Sequence, residues 1–206
     1  MSESERNLLN KAKIGDIEAF ECLIEGCRKK AFNIALRMSG NYDDASDLTQ
    51  EAFIRIYKSL RNFREQSSFS TWVYRITMNV CLDELRKRKN RNMVSIDEEL
   101  KPDESGCKRQ IESDCPTPEE LAERNEIRRA VEEAIGNLRE EYKTVIVLRD
   151  IQGFSYEEIS SILKCPEGTV KSRINRARLA LKDMLAAKRE LFGEICVKYY
   201  GKEGQR

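Results

Sequence analysis

Apolar residues recur at Phe20, Leu23, Ile24, Cys27, Ala31, Ile34, Ala35 and Met38, in steps of one, three and four that keep them on one face of an α-helix. Asp16 offers that helix an N-cap, and Gly40-Asn41 a stop. The spacing returns at Ala45, Leu48, Ala52, Phe53 and Ile56, predicting a helix over about 43–60 that leaves Asp44, Asp47, Gln50, Glu51 and Arg55 mainly outside. It returns again at Phe69, Val73, Ile76 and Val80, in a helix running from a Ser70 cap to about Asn90 after a loop over 62–68. Further along, Thr117-Pro118-Glu119-Glu120 opens a helix to about Gly136, and another covers about 140–150, ended by Gly153. Ser155-Tyr156-Glu157-Glu158 is a second capping box, before a short helix facing inward through Ile159, Ile162 and Leu163. The last helix buries Val170, Ile174, Ala177, Leu181 and Leu185. The expected fold class is all-α.

Composition narrows the chemistry. The 206 residues contain no histidine, which removes Ser-His-Asp and Cys-His catalysis, His-containing zinc sites and the commonest general base. Of the seven cysteines none forms a C-x-x-C pair, so neither a disulfide framework nor a metal knuckle is expected; a redox pair of Cys107 and Cys115 is the alternative. No phosphate-binding glycine loop or nucleophile elbow occurs. No catalyst and no cofactor are expected. No apolar run approaches the roughly 20 residues that span a bilayer, and the start lacks the layout of a secretion signal, so the chain reads as cytoplasmic.

The near-neutral total of 37 basic and 36 acidic residues hides a segregation. Residues 85–91 hold five cations and no anion, 92–126 carry 11 acidic against 4 basic residues, and 164–206 reverse to 11 basic against 5 acidic. The acidic stretch also collects Pro102, Gly106, Pro116 and Pro118, the composition of a linker. The organisation read from this is a helical domain over 1–91, an acidic linker over 92–126, a second helical domain over 127–187 and an extension over 188–206.

Both domains carry nucleic-acid signals. Trp72 and Tyr74 lie beside Arg75, and Arg75, Asn79 and Arg86 share one helical side, offering stacking rings and cations as single strands require; ordinary core and boundary packing of both rings fits the same pattern. In the second domain, a short helix, a Gly-containing turn over 164–168 and a long helix form a helix-turn-helix pattern. Thr169, Ser172, Arg173 and Arg176 fall on one side of the long helix, with Lys171, Asn175, Arg178 and Lys182 on the opposite flank. Arg and Ser/Thr address base edges, and further cations fix phosphates. A helical hairpin with a charged exterior is the plainer alternative.

Two motif sets together resemble the extracytoplasmic-function (ECF) group of bacterial sigma-70 factors. One is Asp43-Asp44-Ala45-Ser46-Asp47-Leu48-Thr49-Gln50-Glu51-Ala52-Phe53 followed by Phe69-Ser70-Thr71-Trp72-Val73-Tyr74-Arg75-Ile76-Thr77-Met78-Asn79, which is similar to the family's region 2. The other is Tyr156-Glu157-Glu158-Ile159, Gly168-Thr169-Val170-Lys171-Ser172-Arg173 and Arg176-Ala177-Arg178, which is similar to region 4. Leu138-Arg139 departs from the family's usual Leu-Pro. The resemblance implies a promoter-recognition subunit that binds core RNA polymerase at the β′ clamp and the β flap. It implies core contacts at Asp47, Leu48, Gln50, Glu51 and Phe53. Capture of the opened −10 strand falls to Phe63, Phe69, Trp72, Arg75, Asn79, Asp83, Arg86 and Lys87. Reading of the −35 duplex falls to Tyr156, Glu157, Gly168, Thr169, Lys171, Ser172, Arg173, Arg176 and Arg178. It further implies a linker in the RNA exit path and an anti-sigma partner. The rival readings are a stand-alone helix-turn-helix regulator, which leaves the Trp/Tyr/Asn helix without a role, and a DNA-processing enzyme built on Asp43, Asp44 and Asp47.

Overall fold

The computed structural model describes residues 3–92 and 118–186, and these are helical with no strand. The linker centre, with Cys107, Cys115 and the first capping box's Thr117, and the extension lie outside the described residues. The helices are α1 (Glu3–Lys13), α2 (Ile17–Ser39), α3 (Tyr42–Ser59), α4 (Phe69–Asn92), α5 (Pro118–Gly136), α6 (Glu140–Ile146), α7 (Tyr156–Leu163) and α8 (Glu167–Ala186). Residues 3–92 group with 147–171 as one compact unit, and 118–146 with 172–186 as another.

Local signals place the ends of the first helices. The Asp16 carboxylate accepts from the Ala19 N–H at 3.0 Å, capping α2. Gly40 ends it at φ +91°, a left-handed conformation suited to glycine, with its N–H on the Leu36 carbonyl. Asn41 then accepts from the Asp44 N–H at 2.8 Å and starts α3 at once. The cap of α4 is Ser68, whose hydroxyl accepts from the Thr71 N–H at 3.1 Å. Ser70, the cap read from sequence, is already inside the helix.

The core of the first unit is the face that the periodicity outlined. Leu23, Ile24, Cys27, Ala31, Ile34, Ala35 and Met38 of α2 are buried with Ala45, Ala52 and Ile56 of α3 and Val73, Met78, Val80 and Cys81 of α4. Phe53 and Ile76 are only half-buried. Helix α1, absent from the sequence expectations, adds Leu9 and Ala12 to this core. It is tied on where Lys13 Nζ donates to the Phe63 carbonyl at 3.1 Å and Arg6 pairs with Glu65 at 3.4 Å.

Residues 147–171 pack on the same bundle, α7 lying against α4. Phe154 meets Tyr74 edge-on with ring centroids 5.3 Å apart, and Lys30 Nζ stands 3.7 Å above the Phe154 ring. The helix expected over 140–150 is α6 followed by a π-helical turn over Val147–Ile151. Arg149 then fastens the chain by donating to the Phe154 carbonyl at 2.7 Å. The capping box of α7 is complete, with Glu158 N–H on Ser155 Oγ at 3.1 Å and Ser155 N–H on Glu158 Oε2 at 2.8 Å.

In the second unit α5 and α6 pack together, burying Ala130, Ala134, Ile135 and Leu138 with Val145 and Ile146. Along α8, Ile174 and Ala177 are buried and Leu181 and Leu185 half-buried, while Val170, in the part of α8 that groups with the first unit, is also buried.

Candidate nucleic-acid and polymerase interfaces

Three surfaces answer to the residues singled out in the sequence. On α3, Asp47, Gln50 and Glu51 are exposed and lie within one turn of each other, a carboxylate-rich face. Phe53 is half-buried there and Ile54 lies open beside it at 48% exposure. Leu48 is buried, as its place in the apolar stripe of α3 requires.

On α4, Asn79, Arg86 and Lys87 are exposed, and Arg75 and Asp83 are half-buried. Residues 79, 83 and 86 share a side of the helix. Trp72 and Tyr74, whose sequence pattern fits stacking rings and core packing alike, are both buried in this structure. Phe63, Phe69 and Trp72 form a closed triangle, with ring centroids 4.9 Å apart for Phe63–Trp72, 5.8 Å for Phe63–Phe69 and 5.9 Å for Phe69–Trp72. Trp72 is 7% exposed and Phe69 1%. The three rings therefore pack on one another as core where the loop before α4 meets its first turn. Tyr74 is also buried, against Phe154 and under Lys30.

Ion pairs fix both faces. Arg88 of α4 donates to Asp44 at the start of α3 and to Glu84 Oε1 at 3.2 Å. The Arg88 guanidinium is the largest influence holding the Asp44 carboxyl below its ordinary value, opposed by partial burial. Asp44 is therefore part of a helix clamp rather than an open carboxylate beside Asp43 and Asp47; no group of three or more metal-ligating side chains occurs among the described residues. Burial pushes the Cys27 thiol up, which suits a core residue rather than a reactive thiolate.

The third surface belongs to α8 and the turn before it. The left-handed residue of the turn is Lys164 at φ +52°, not a glycine; its N–H and that of Cys165 both reach the Ser160 carbonyl, and Ser160 Oγ donates to the Cys165 carbonyl at 2.7 Å. Gly168 sits in the first turn of α8, exposed, where a Cβ would meet nothing within 4 Å. Thr169 and Arg173 are half-buried, while Lys171, Ser172, Arg176 and Arg178 are exposed. Lys171 pairs with Glu167 at 3.5 Å, and Arg173 with Glu141 at 3.5 Å. Tyr156 is half-buried between the Arg149 guanidinium, 4.6 Å from its ring centroid, and Lys171 Nζ at 5.5 Å, with Glu157 exposed next to it. The capped α7 and the tight turn into α8 follow the helix-turn-helix pattern read from the sequence.

Comparison with known proteins decides among the readings. Residues 23–91 match the family model for sigma-70 region 2, and residues 128–181 the model for sigma-70 region 4. The chain is 38% identical to the ECF RNA polymerase sigma factor SigW of Bacillus subtilis over 86% of this chain and 94% of that protein. It is 35% identical to the RNA polymerase sigma-H factor of Pseudomonas aeruginosa over 89% and 94% of the two chains. The chain belongs to the sigma-70 family. It is an ECF-type sigma factor, and the stand-alone regulator and the DNA-processing enzyme fall away, because both sigma regions are present in order across nearly the whole length of the relatives. Among solved structures, CnrH in complex with the cytosolic domain of CnrY is similar at a TM-score of 0.63 and 26% identity, covering 91% of this sigma factor and 100% of that chain. No helix among the described residues is long and apolar enough to cross a membrane.

Proposed function

We propose that this sigma factor docks on core polymerase through Asp47, Gln50 and Glu51 of α3, with Phe53 at the edge, and takes the opened −10 strand along Arg75, Asn79, Arg86 and Lys87 of α4. The observation that carries the reading is the separation of charge on neighbouring helices of one bundle. An anionic, amide-bearing face suits a basic partner helix, and a cationic, amide-bearing face suits phosphates and an unstacked base edge. In this reading Asn79 meets the base and Arg86 and Lys87 hold the backbone, while Phe63, Phe69 and Trp72 act from beneath by holding the loop that borders an everted base. Thr169, Ser172, Arg173 and Arg176 read the −35 major groove, with Lys171 and Arg178 on phosphates and Tyr156, Glu157 and Gly168 at the groove's edge. The domain limits that go with this are 1–91 for the polymerase and −10 functions and 127–187 for the −35 function.

The acidic linker over 92–126, net −7, acts as an electrostatic stand-in for RNA in a basic exit channel. The factor works in the cytoplasm with polymerase, held in check by an anti-sigma protein; the similarity to CnrH, solved with the cytosolic domain of CnrY, supports that partner. The test is assembly: Asp47→Arg puts a cation where a carboxylate faces the partner. That variant co-elutes with bacterial core polymerase far more weakly than the wild type while keeping its helical content and thermal midpoint. Unchanged assembly would remove the α3 face from the interface.

A further inference from the structure

Arg55 stands where α3 meets α4 and divides its guanidinium between two carboxylates. Its Nε donates to Glu51 Oε1 at 2.7 Å, one turn back on α3, and its Nη1 to Asp83 Oδ2 at 3.3 Å across on α4. Glu51 belongs to the polymerase face proposed above, and Asp83 lies between Asn79 and Arg86 on the strand face, so the inference rests on that reading. Side chains of both acids are about half exposed, at 48% and 46%, and open to a partner. A carboxylate in a row that receives phosphates repels the strand unless a cation cancels it. The planar fork of an arginine serves two carboxylates at once, which a point-charge ammonium does less well.

We propose that Arg55 is a positioning residue that couples polymerase docking to strand capture. When a basic partner helix takes over Glu51, Arg55 is released to Asp83 and neutralises it beside the strand. Because such coupling is reciprocal, a bound strand also favours docking.

The experiment uses full-length chains, free and saturated with bacterial core polymerase. Anisotropy follows a fluorescein-labelled single-stranded oligonucleotide of randomised sequence, and thermal midpoints are recorded alongside. Arg55→Gln weakens strand binding by the holoenzyme about three-fold, the effect of one uncompensated charge near the backbone in screened solvent. The loss is smaller in the free chain, where Glu51 still shares the guanidinium. Adding Asp83→Asn to Arg55→Gln restores the affinity, since no carboxylate is left to neutralise. A mere α3–α4 clip cannot be rescued that way, so absence of rescue, or an equal loss in free chain and holoenzyme, overturns the coupling. Arg86→Gln separates the two levels. If it weakens binding while Arg55→Gln does not, only the coupling falls; if Arg86→Gln leaves binding unchanged, the strand face itself is misassigned.

Discussion

Replacing Trp72 by alanine separates a stacking platform from a core residue. The side chain is 7% exposed, and its ring lies 4.9 Å from Phe63 and 5.9 Å from Phe69, centroid to centroid. A tryptophan buries roughly 200 Å², which at about 25 cal/mol per Å² amounts to about 5 kcal/mol. Alanine retains about a quarter of that, leaving a loss of about 4 kcal/mol, inside the range of about 3–5 kcal/mol found for aromatic-to-alanine changes in cores. With a urea dependence of about 2 kcal/mol per M, the unfolding midpoint falls by about 2 M. The assay is urea unfolding followed by far-UV circular dichroism, with the wild type also followed by the emission of its single tryptophan. Trp72→Phe recovers most of the loss because a ring still fills the triangle. A midpoint that moves by less than about 0.3 M, together with a fall in single-strand affinity, would refute the packing argument and return Trp72 to the strand surface.

Two further outcomes follow from the same geometry. The Asp44 carboxyl is held below its ordinary 3.8 by Arg88, so the clamp's stability is fully present above that pH and is lost as pH falls through the folded-state value; acid titration of unfolding free energy is therefore shallower below about pH 4 in Asp44→Asn than in the wild type. Ser155→Ala removes one arm of the capping box and destabilises the chain by about 1 kcal/mol, read by urea unfolding, and Ser155→Asp, which keeps an acceptor on the Glu158 N–H, restores most of it.

The parts of this fold legible in the sequence were those with a local cause. Asp16, Gly40 and the Ser155–Glu158 box act through bonds three or four residues away, so residue type and spacing reveal them. The buried face of α2 was legible for the same reason, since period alone brings its residues to one side. Trp72 was not: a ring beside cations reads equally as platform or core, and only the packing of Phe63 and Phe69 from separate segments resolves it. Leu48 carries both signals at once: the resemblance points to partner contact, while its periodicity points to the core, where it is buried. Ser68 takes the cap expected of Ser70 because Ser67, Ser68 and Ser70, within four positions, offer the same local signal. Lys164 in a left-handed turn carries no sequence mark at all, as glycine would. The signal that did exist for α1, Leu9 and Ala12 three residues apart in a charged segment, is too short to stand out.

The central claim is that the exposed faces of α3, α4 and α8 work together on a promoter held by polymerase. Run-off transcription tests it most directly, with bacterial core polymerase, this chain and fragments of its own genome. Discrete transcripts that require the chain, and that vanish with Asp47→Arg, are the predicted result. No transcripts with the intact chain, alongside tight binding of duplex DNA by the chain alone, would contradict it.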